Sequence, residues 1–138
     1  MNEKDILNLI NIAKDARLNA YAPYSKFKVG AVIYFNDGTY ITGANVENAS
    51  YSLTICAERS ALFKMSNLNK NKEDVLALLI IGDTKDVIYP CGACRGVMSE
   101  LLLPDTNIIC ANLNNEYKIY KLKELIPNSF SGECLNAK

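Results

Sequence analysis

The sequence contains no histidine, and this absence excludes several kinds of catalytic chemistry. Without an imidazole the chain cannot form a Ser-His-Asp triad or a Cys-His pair. It also cannot form a zinc site that depends on histidine ligands. Thiolates and carboxylates are therefore expected to carry the chemistry.

The chain also lacks an excess of charge of either sign, because 15 basic residues balance 15 acidic ones. Proteins that grip a nucleic-acid backbone normally show a clear positive excess. No basic stripe is found beyond Lys118, Lys121 and Lys123. We therefore expect no nucleic-acid partner and a free small molecule as the substrate.

Long apolar runs are missing as well. No run approaches 18 residues and no N-terminal signal segment is found, which predicts no membrane partner and a cytoplasmic location. The 138 residues fit one domain, 1–138, which can bury roughly two thirds of its unfolded surface without disulfides. The odd number of cysteines, five, also favours a reducing compartment.

Two short motifs are present that together suit a hydrolytic zinc site. They are Cys56-Ala57-Glu58 and Pro90-Cys91-Gly92-Ala93-Cys94. A catalytic zinc keeps three protein ligands and leaves a fourth position for water, whose pKa it lowers to roughly 7. Cys56, Cys91 and Cys94 are the candidate ligands for one Zn²⁺ per chain, and Glu58 is the candidate catalytic proton carrier. With Cys56 in place of histidine, this is the signature of zinc deaminases.

Three thiolates would give the zinc site a net negative charge, so a positive side chain is expected nearby. Arg59 follows Cys56 by three residues, on the same face of a helix, and can donate to the ligand sulfur and tune the charge at the zinc. Arg95 is a second candidate. The alternative for each arginine is a solvated surface charge.

A Cys-x-x-Cys pair also has other uses. It occurs in thioredoxin-like redox sites and forms half of a zinc ribbon, but neither use requires Cys-Ala-Glu upstream. A closed four-thiolate site remains possible if Cys110 or Cys134 completes it. Cys110 lies in an apolar run, which favours a buried inert thiol.

The hydrophobic pattern predicts an α/β fold with about five strands and helices on both sides of the sheet. Asn36-Asp37-Gly38 is a strong turn signal, and the all-apolar run 75–81 is typical of a central strand covered on both faces. Both halves of the metal motif fall at helix starts, where thiol pKa values are lowered. The predicted elements are a helix over 3–20 stopped by Ala22-Pro23, a hairpin of 27–35 and 39–43, a helix over 57–67, a strand over 75–81, a helix over 92–102, and a hairpin of 107–111 and 117–120.

Further segments along nearly the whole chain support a family resemblance. They are Tyr21-Ala22-Pro23-Tyr24-Ser25-Lys26-Phe27, Val29-Gly30-Ala31, Gly43-Ala44-Asn45-Val46-Glu47-Asn48-Ala49-Ser50-Tyr51, Cys56-Ala57-Glu58-Arg59, Pro90-Cys91-Gly92-Ala93-Cys94-Arg95 and Leu125-Ile126-Pro127. With these segments the chain resembles the small homotetrameric cytidine deaminases whose zinc is held by three cysteines. The resemblance implies a three-layer α/β/α cytidine deaminase-like fold with a five-stranded mixed sheet. It also implies hydrolysis of free cytidine and 2'-deoxycytidine to the uridines and ammonia, in pyrimidine salvage.

The resemblance also implies roles in substrate binding. Asn45 and Glu47 would hold the ribose hydroxyls, and Phe27 would pack against the pyrimidine. Glu58 and the backbone of Ala57 would contact the cytosine. Taken singly, a phenylalanine is more often part of a core, and an amide and a carboxylate are more often solvated loop groups.

Two aromatic residues are implied to act between subunits. Tyr51 and Phe130 match residues that approach the active site of a neighbouring subunit in the family. A homotetramer with shared active sites is therefore expected. The alternative for Tyr51 is simple packing at a helix entry.

Two rival functions remain open at this stage. A deaminase of the same fold could act on a modified cytosine nucleoside, such as an antibiotic of the blasticidin S type. The joint presence of Phe27, Asn45 and Glu47 favours the ordinary nucleosides. A structural zinc or redox-sensing module is the other rival, and it has no use for Glu58.

Overall fold

The computed structural model describes residues 1–136. The predicted helices and strands occur in the predicted order, and the structure adds two short helices after the last strand and short 3₁₀ turns at Tyr51–Leu53 and Lys72–Asp74. The elements are α1 (Glu3–Arg17), β1 (Val29–Phe35), β2 (Tyr40–Ala44), α2 (Ala57–Ser66), β3 (Val75–Gly82), α3 (Gly92–Leu101), β4 (Asn107–Asn112), β5 (Tyr117–Lys121), α4 (Leu122–Leu125) and α5 (Glu133–Asn136).

The five strands form one mixed sheet in the order β2-β1-β3-β4-β5. β3 and β4 are parallel, and the other three pairs are antiparallel. β3 is therefore central, as its apolar run predicted. Leu78 and Ile80 belong to the core under α2 and α3, whereas Leu79 and Ile81 belong to the core under α1. Helices thus cover both faces of the sheet, which confirms the three-layer α/β/α prediction.

The first helix ends three residues earlier than predicted. Asn2 caps its start in a capping box with Asp5. At its other end, residues 18–20 continue as tighter turns that bond three residues back. Tyr21 then pairs with Val46 in an isolated parallel bridge. The helix stops because this chain segment turns to join residues 45–47, before Pro23 is reached.

Two glycines allow helices to lie close to the sheet. A Cβ on Gly30 would overlap the backbone of α1 at Ala13, and a Cβ on Gly43 would overlap the backbone of α2 at Ala57. Gly43 therefore sets how closely the first turn of α2 approaches β2. Within residues 1–136, no helix combines the length and the apolar character that crossing a membrane requires.

Candidate active site

Three thiols meet at the amino-terminal ends of two neighbouring helices. Cys56 is the residue preceding α2, Cys91 is the residue preceding α3, and Cys94 lies in the first turn of α3. Their sulfurs all lie within 4.8 Å of one another. The Sγ–Sγ distances are 3.8 Å for Cys56 and Cys91 and 3.5 Å for Cys91 and Cys94. A tetrahedral zinc about 2.3 Å from each sulfur requires separations of about 3.8 Å, so the group fits zinc.

The surroundings favour a thiolate at Cys56. Its pKa is lowered to about 5, first by the neighbouring Cys94 thiol and then by Arg59. The pKa of Cys94 is raised in turn, first by the neighbouring Cys56 and then by burial. Two helix N-termini also direct unpaired N–H groups and a positive dipole end towards this region.

Arg59 lies where the sequence predicted it, beside the first thiol. Its Nη2 is 3.5 Å from Cys56 Sγ. Its Nε is buried and has no hydrogen-bond partner among the described residues. The Arg59 guanidinium is thus held against the thiols with donor capacity unused, which suits a group that compensates negative charge at the metal.

Glu58 is a buried carboxylate beside the thiols, with 4% of its surface exposed. Burial raises its pKa to about 7, and the negative charge of Cys56 adds to this effect. A carboxyl group with a pKa near neutrality can both accept and donate a proton during a reaction. Glu58 therefore has the environment of a general acid–base rather than that of a surface carboxylate.

A cavity of about 260 Å³ opens beside the thiols and collects the predicted residues. We call it the central cavity. Seven predicted site residues line it, namely Phe27, Asn45, Glu47, Cys56, Ala57, Glu58 and Cys91. Five further residues line it that the sequence did not indicate, namely Ser25, Val29, Thr54, Ile88 and Tyr89. Of these, Ser25 and Val29 lie inside motifs of the family resemblance, and the other three carry no signal of their own.

Phe27 and Asn45 are linked through the backbone at the floor of the central cavity. Asn45 is 8% exposed. Its Nδ2 donates to the carbonyl of Phe27 at 2.9 Å, and its Oδ1 accepts from the backbone N–H of Val29 at 2.8 Å. Phe27 is 37% exposed, and its ring lies against Gly82, where any side chain would crowd it. Asn45 therefore fixes the backbone on both sides of Lys28.

Glu47 is held by the loop that precedes Phe27. Its Oε1 accepts from the backbone N–H groups of Tyr24 at 2.9 Å and Ser25 at 3.0 Å. Its Oε2 accepts from the Ser25 hydroxyl. These hydrogen bonds hold the pKa of Glu47 below its usual range, and the bond from the Ser25 hydroxyl has the largest effect. The carboxylate is therefore ionised and fixed in place.

The two aromatic residues predicted to act between subunits lie outside the central cavity. Tyr51 is 78% exposed and Phe130 is 73% exposed. Tyr51 lines an adjoining depression that shares Ser25, Glu47 and Thr54 with the central cavity. Its ring meets that of Tyr24 edge-on, with centroids 6.4 Å apart.

The remaining cysteines and Arg95 lie apart from the thiol group. Cys110 is buried in β4, where burial raises its pKa to about 12, and Cys134 is exposed. Neither joins the three sulfurs in the described part of the chain, so no four-thiolate site forms there. Arg95 donates from Nε to the Pro90 carbonyl and from Nη1 to the Leu125 carbonyl, both at 2.9 Å, and so ties the thiol loop to α4.

A three-thiol zinc site with a buried carboxyl group beside it, on an α/β/α sheet, defines a zinc-dependent hydrolytic enzyme. The sequence profile described as the cytidine and deoxycytidylate deaminase zinc-binding region matches residues 3–112. The chain belongs to this deaminase family, and its cofactor is zinc.

Individual relatives agree with this assignment. A cytidine deaminase of Halalkalibacterium halodurans is 48% identical over 128 residues, which cover 93% of this chain and 96% of the relative. One of Sporosarcina psychrophila is 40% identical and covers 96% of both chains. The crystal structure of cytidine deaminase from Burkholderia pseudomallei superposes with a TM-score of 0.87 at 44% identity, covering 90% of this chain and 98% of that one.

Proposed function

We propose that this enzyme hydrolyses free cytidine and 2'-deoxycytidine to uridine and 2'-deoxyuridine, with release of ammonia. The observation that carries the proposal is the buried Glu58 beside three thiols, in a cavity that also presents Phe27, Asn45 and Glu47. The relatives named as cytidine deaminases support the nucleoside as substrate.

Each residue of the central cavity has a task in this reaction. Cys56, Cys91 and Cys94 hold the zinc, which when bound supplies Lewis-acid activation of water. Glu58 takes one proton from the attacking water and delivers it to the ring nitrogen, and it then passes the proton of the added hydroxyl to the leaving amine. A C–O bond replaces the C–N bond, so the substrate gains one water and loses one ammonia. Phe27 packs against the pyrimidine, and the Ala57 backbone helps Glu58 to orient it.

In this proposal Asn45 and Glu47 bind the hydroxyl groups of the ribose. A carboxylate has about four lone-pair sites, and the loop fills three on Glu47. One site is left for a ligand hydroxyl. Asn45 keeps one amide hydrogen and one lone pair beyond its two backbone bonds, so it too can bind a hydroxyl.

We also propose that residues 1–138 act as one domain, and that four copies assemble with Tyr51 and Phe130 completing neighbouring sites. Their high exposure supports this, because an isolated chain leaves most of both side chains in contact with solvent. Five free cysteines, three of them needed as metal ligands, support a reducing cytoplasm. The proposed role in pyrimidine salvage follows from the proposed substrates, which are free nucleosides.

The first test is the change in ultraviolet absorbance when zinc-loaded protein meets cytidine or deoxycytidine, with Glu58→Gln as the variant. Wild type should convert both nucleosides, and Glu58→Gln should retain zinc and fold yet lose roughly 10²- to 10⁴-fold in kcat. Glu73→Gln, which changes an exposed carboxylate, is the matched control. Near-normal turnover by Glu58→Gln would contradict the mechanism, and zinc-loaded wild type inert towards both would redirect the proposal to a modified cytosine nucleoside.

A further inference from the structure

Ser25 joins the two substrate-binding regions of the central cavity through a single hydroxyl. Its Oγ accepts from the backbone N–H of Phe27 at 3.0 Å and also contacts Glu47 Oε2. An ionised carboxylate can only accept a hydrogen bond, so the hydroxyl proton must be given to Glu47. The hydroxyl lone pair then accepts from Phe27. The chemistry therefore fixes the direction of both bonds.

These bonds are part of a longer chain of contacts. Glu47 bonds Ser25, Ser25 bonds the N–H of Phe27, and the carbonyl of Phe27 bonds Asn45. Three of the residues proposed to bind the nucleoside are thus connected in series, and Ser25 is the only member of this series without a proposed contact to the ligand. A shift at Ser25 would change the separation between the carboxylate and the ring.

The backbone between these residues needs such support. Lys26, between Ser25 and Phe27, has a φ of 62°, a left-handed conformation that residues other than glycine rarely adopt. Its N–H bonds the carbonyl of Ala22 at 3.0 Å. The Ser25 hydroxyl and the Glu47 carboxylate hold the two ends of this turn, because they bond the N–H groups of Tyr24, Ser25 and Phe27.

We propose that Ser25 is a positioning residue that sets the distance between the sugar-binding carboxylate of Glu47 and the base-binding ring of Phe27. It acts before the ligand arrives, by fixing the orientation of the Glu47 carboxylate so that one of its lone-pair sites stays free for a sugar hydroxyl. This inference rests on the proposed nucleoside deaminase function. It predicts that Ser25 affects nucleoside binding more than the chemical step.

The test compares Ser25→Thr with Ser25→Val, since these side chains match in shape and differ in the hydroxyl. Ser25→Val should raise KM for cytidine roughly 10- to 100-fold with kcat changed by less than about threefold, and Ser25→Thr should stay within about threefold of wild type in both. The dissociation constant for uridine, measured by calorimetry, should weaken in the same ratio as KM. Ser66→Ala, which removes a hydroxyl that bonds the Phe63 carbonyl at 2.8 Å on α2, is the control.

A double-mutant cycle separates positioning from general loosening of the fold. In a Glu47→Gln background, Ser25→Val should change the uridine dissociation constant much less than it does in the wild-type background. The reason is that the carboxylate to which the Ser25 hydroxyl donates has already been replaced. Zinc content and melting temperature are measured for every variant. If Ser25→Val does not fold, Ser25→Ala replaces it in the comparison with Ser25→Thr.

The outcomes test the role of Ser25 separately from the proposed deaminase function on which it rests. Equal KM and uridine affinity in the valine and threonine variants of an active enzyme would overturn the role of Ser25 alone. Full additivity with Glu47→Gln would also overturn it. A wild-type protein that neither deaminates cytidine nor binds uridine would overturn the proposed function and this inference together.

Discussion

Arg59 is a positive side chain in direct contact with one of the three thiols. Its Nη2 lies 3.5 Å from Cys56 Sγ, and it contributes to the low pKa of that thiol. A bound zinc with three thiolates would carry a net negative charge, which this guanidinium offsets. The metal site therefore depends on a residue that is not itself a ligand.

Replacing Arg59 with glutamine should weaken zinc retention. We expect Arg59→Gln to lose zinc to a competing chelator with an affinity roughly 10- to 100-fold lower than that of wild type. Arg17→Gln is the control. Arg17 belongs to α1, which covers the face of the sheet opposite to α2, and its Nε donates to the Lys28 carbonyl at 2.9 Å. Equal zinc affinity in the two variants would show that Arg59 does not tune the charge at the zinc.

The residues of the metal group could be predicted from the sequence because each of the two motifs that supply them is local. Cys91 and Cys94 are three positions apart, and Glu58 is two positions beyond Cys56. The role of Ser25 could not, because its bond to Glu47 spans 22 residues and depends on how two loops meet. Serine is also too common in turns to stand out.

At the scale of elements, helix α2 carries Glu58 and directly follows Cys56, so the position of α2 on the sheet determines where both side chains lie. Gly43 in β2 allows α2 to pack this closely against the sheet. A Cβ there would lie 2.7 Å from the backbone nitrogen of Ala61 and closer still to the Ala57 carbonyl. Neither backbone atom can move without shifting the first turn of α2.

Gly43→Ala should therefore destabilise the fold by about 1 to 3 kcal/mol and lower zinc affinity. Gly96→Ala is the matched control, since Gly96 lies within α3 with open space around it. There the same change should stabilise the protein by about 0.5 to 1 kcal/mol. Denaturant unfolding measures both, and a neutral Gly43→Ala would show that the α2 contact is adaptable.

Predictions of whole elements succeeded where the hydrophobic pattern matched the packing. The run 75–81 was assigned to the centre of the sheet, and β3 lies there with cores on both faces. The end of α1 was misplaced because Tyr21 leaves the helical path to pair with Val46, a contact 25 positions away in sequence. Such pairing leaves no mark in local periodicity.

At the scale of the whole molecule, the exposed rings of Tyr51 and Phe130 bear on assembly. If neighbouring copies share active sites, a chain lacking Phe130 can be rescued by a neighbour that retains it. Sedimentation should then show four chains together, and a stable, active monomer would contradict the proposal.

A mixing experiment tests the sharing itself. Glu58→Gln and Phe130→Ala should each reduce activity strongly as pure assemblies. Hybrids formed by co-expression contain sites with an intact Glu58 from one chain and an intact Phe130 from the next. Their activity should exceed the mean of the two pure variants, and activity equal to that mean would show that each chain works alone.

The separation of the three thiols along the chain has a further consequence. Cys91 and Cys94 share one helical turn, whereas Cys56 lies 35 residues before Cys91 and reaches it only when α2 and α3 lie side by side. An unfolded chain can offer the metal the local pair, and only the folded chain can offer all three. Zinc would thus act as a removable cross-link between the two halves of the chain, binding the native state in preference to the unfolded one and stabilising it accordingly.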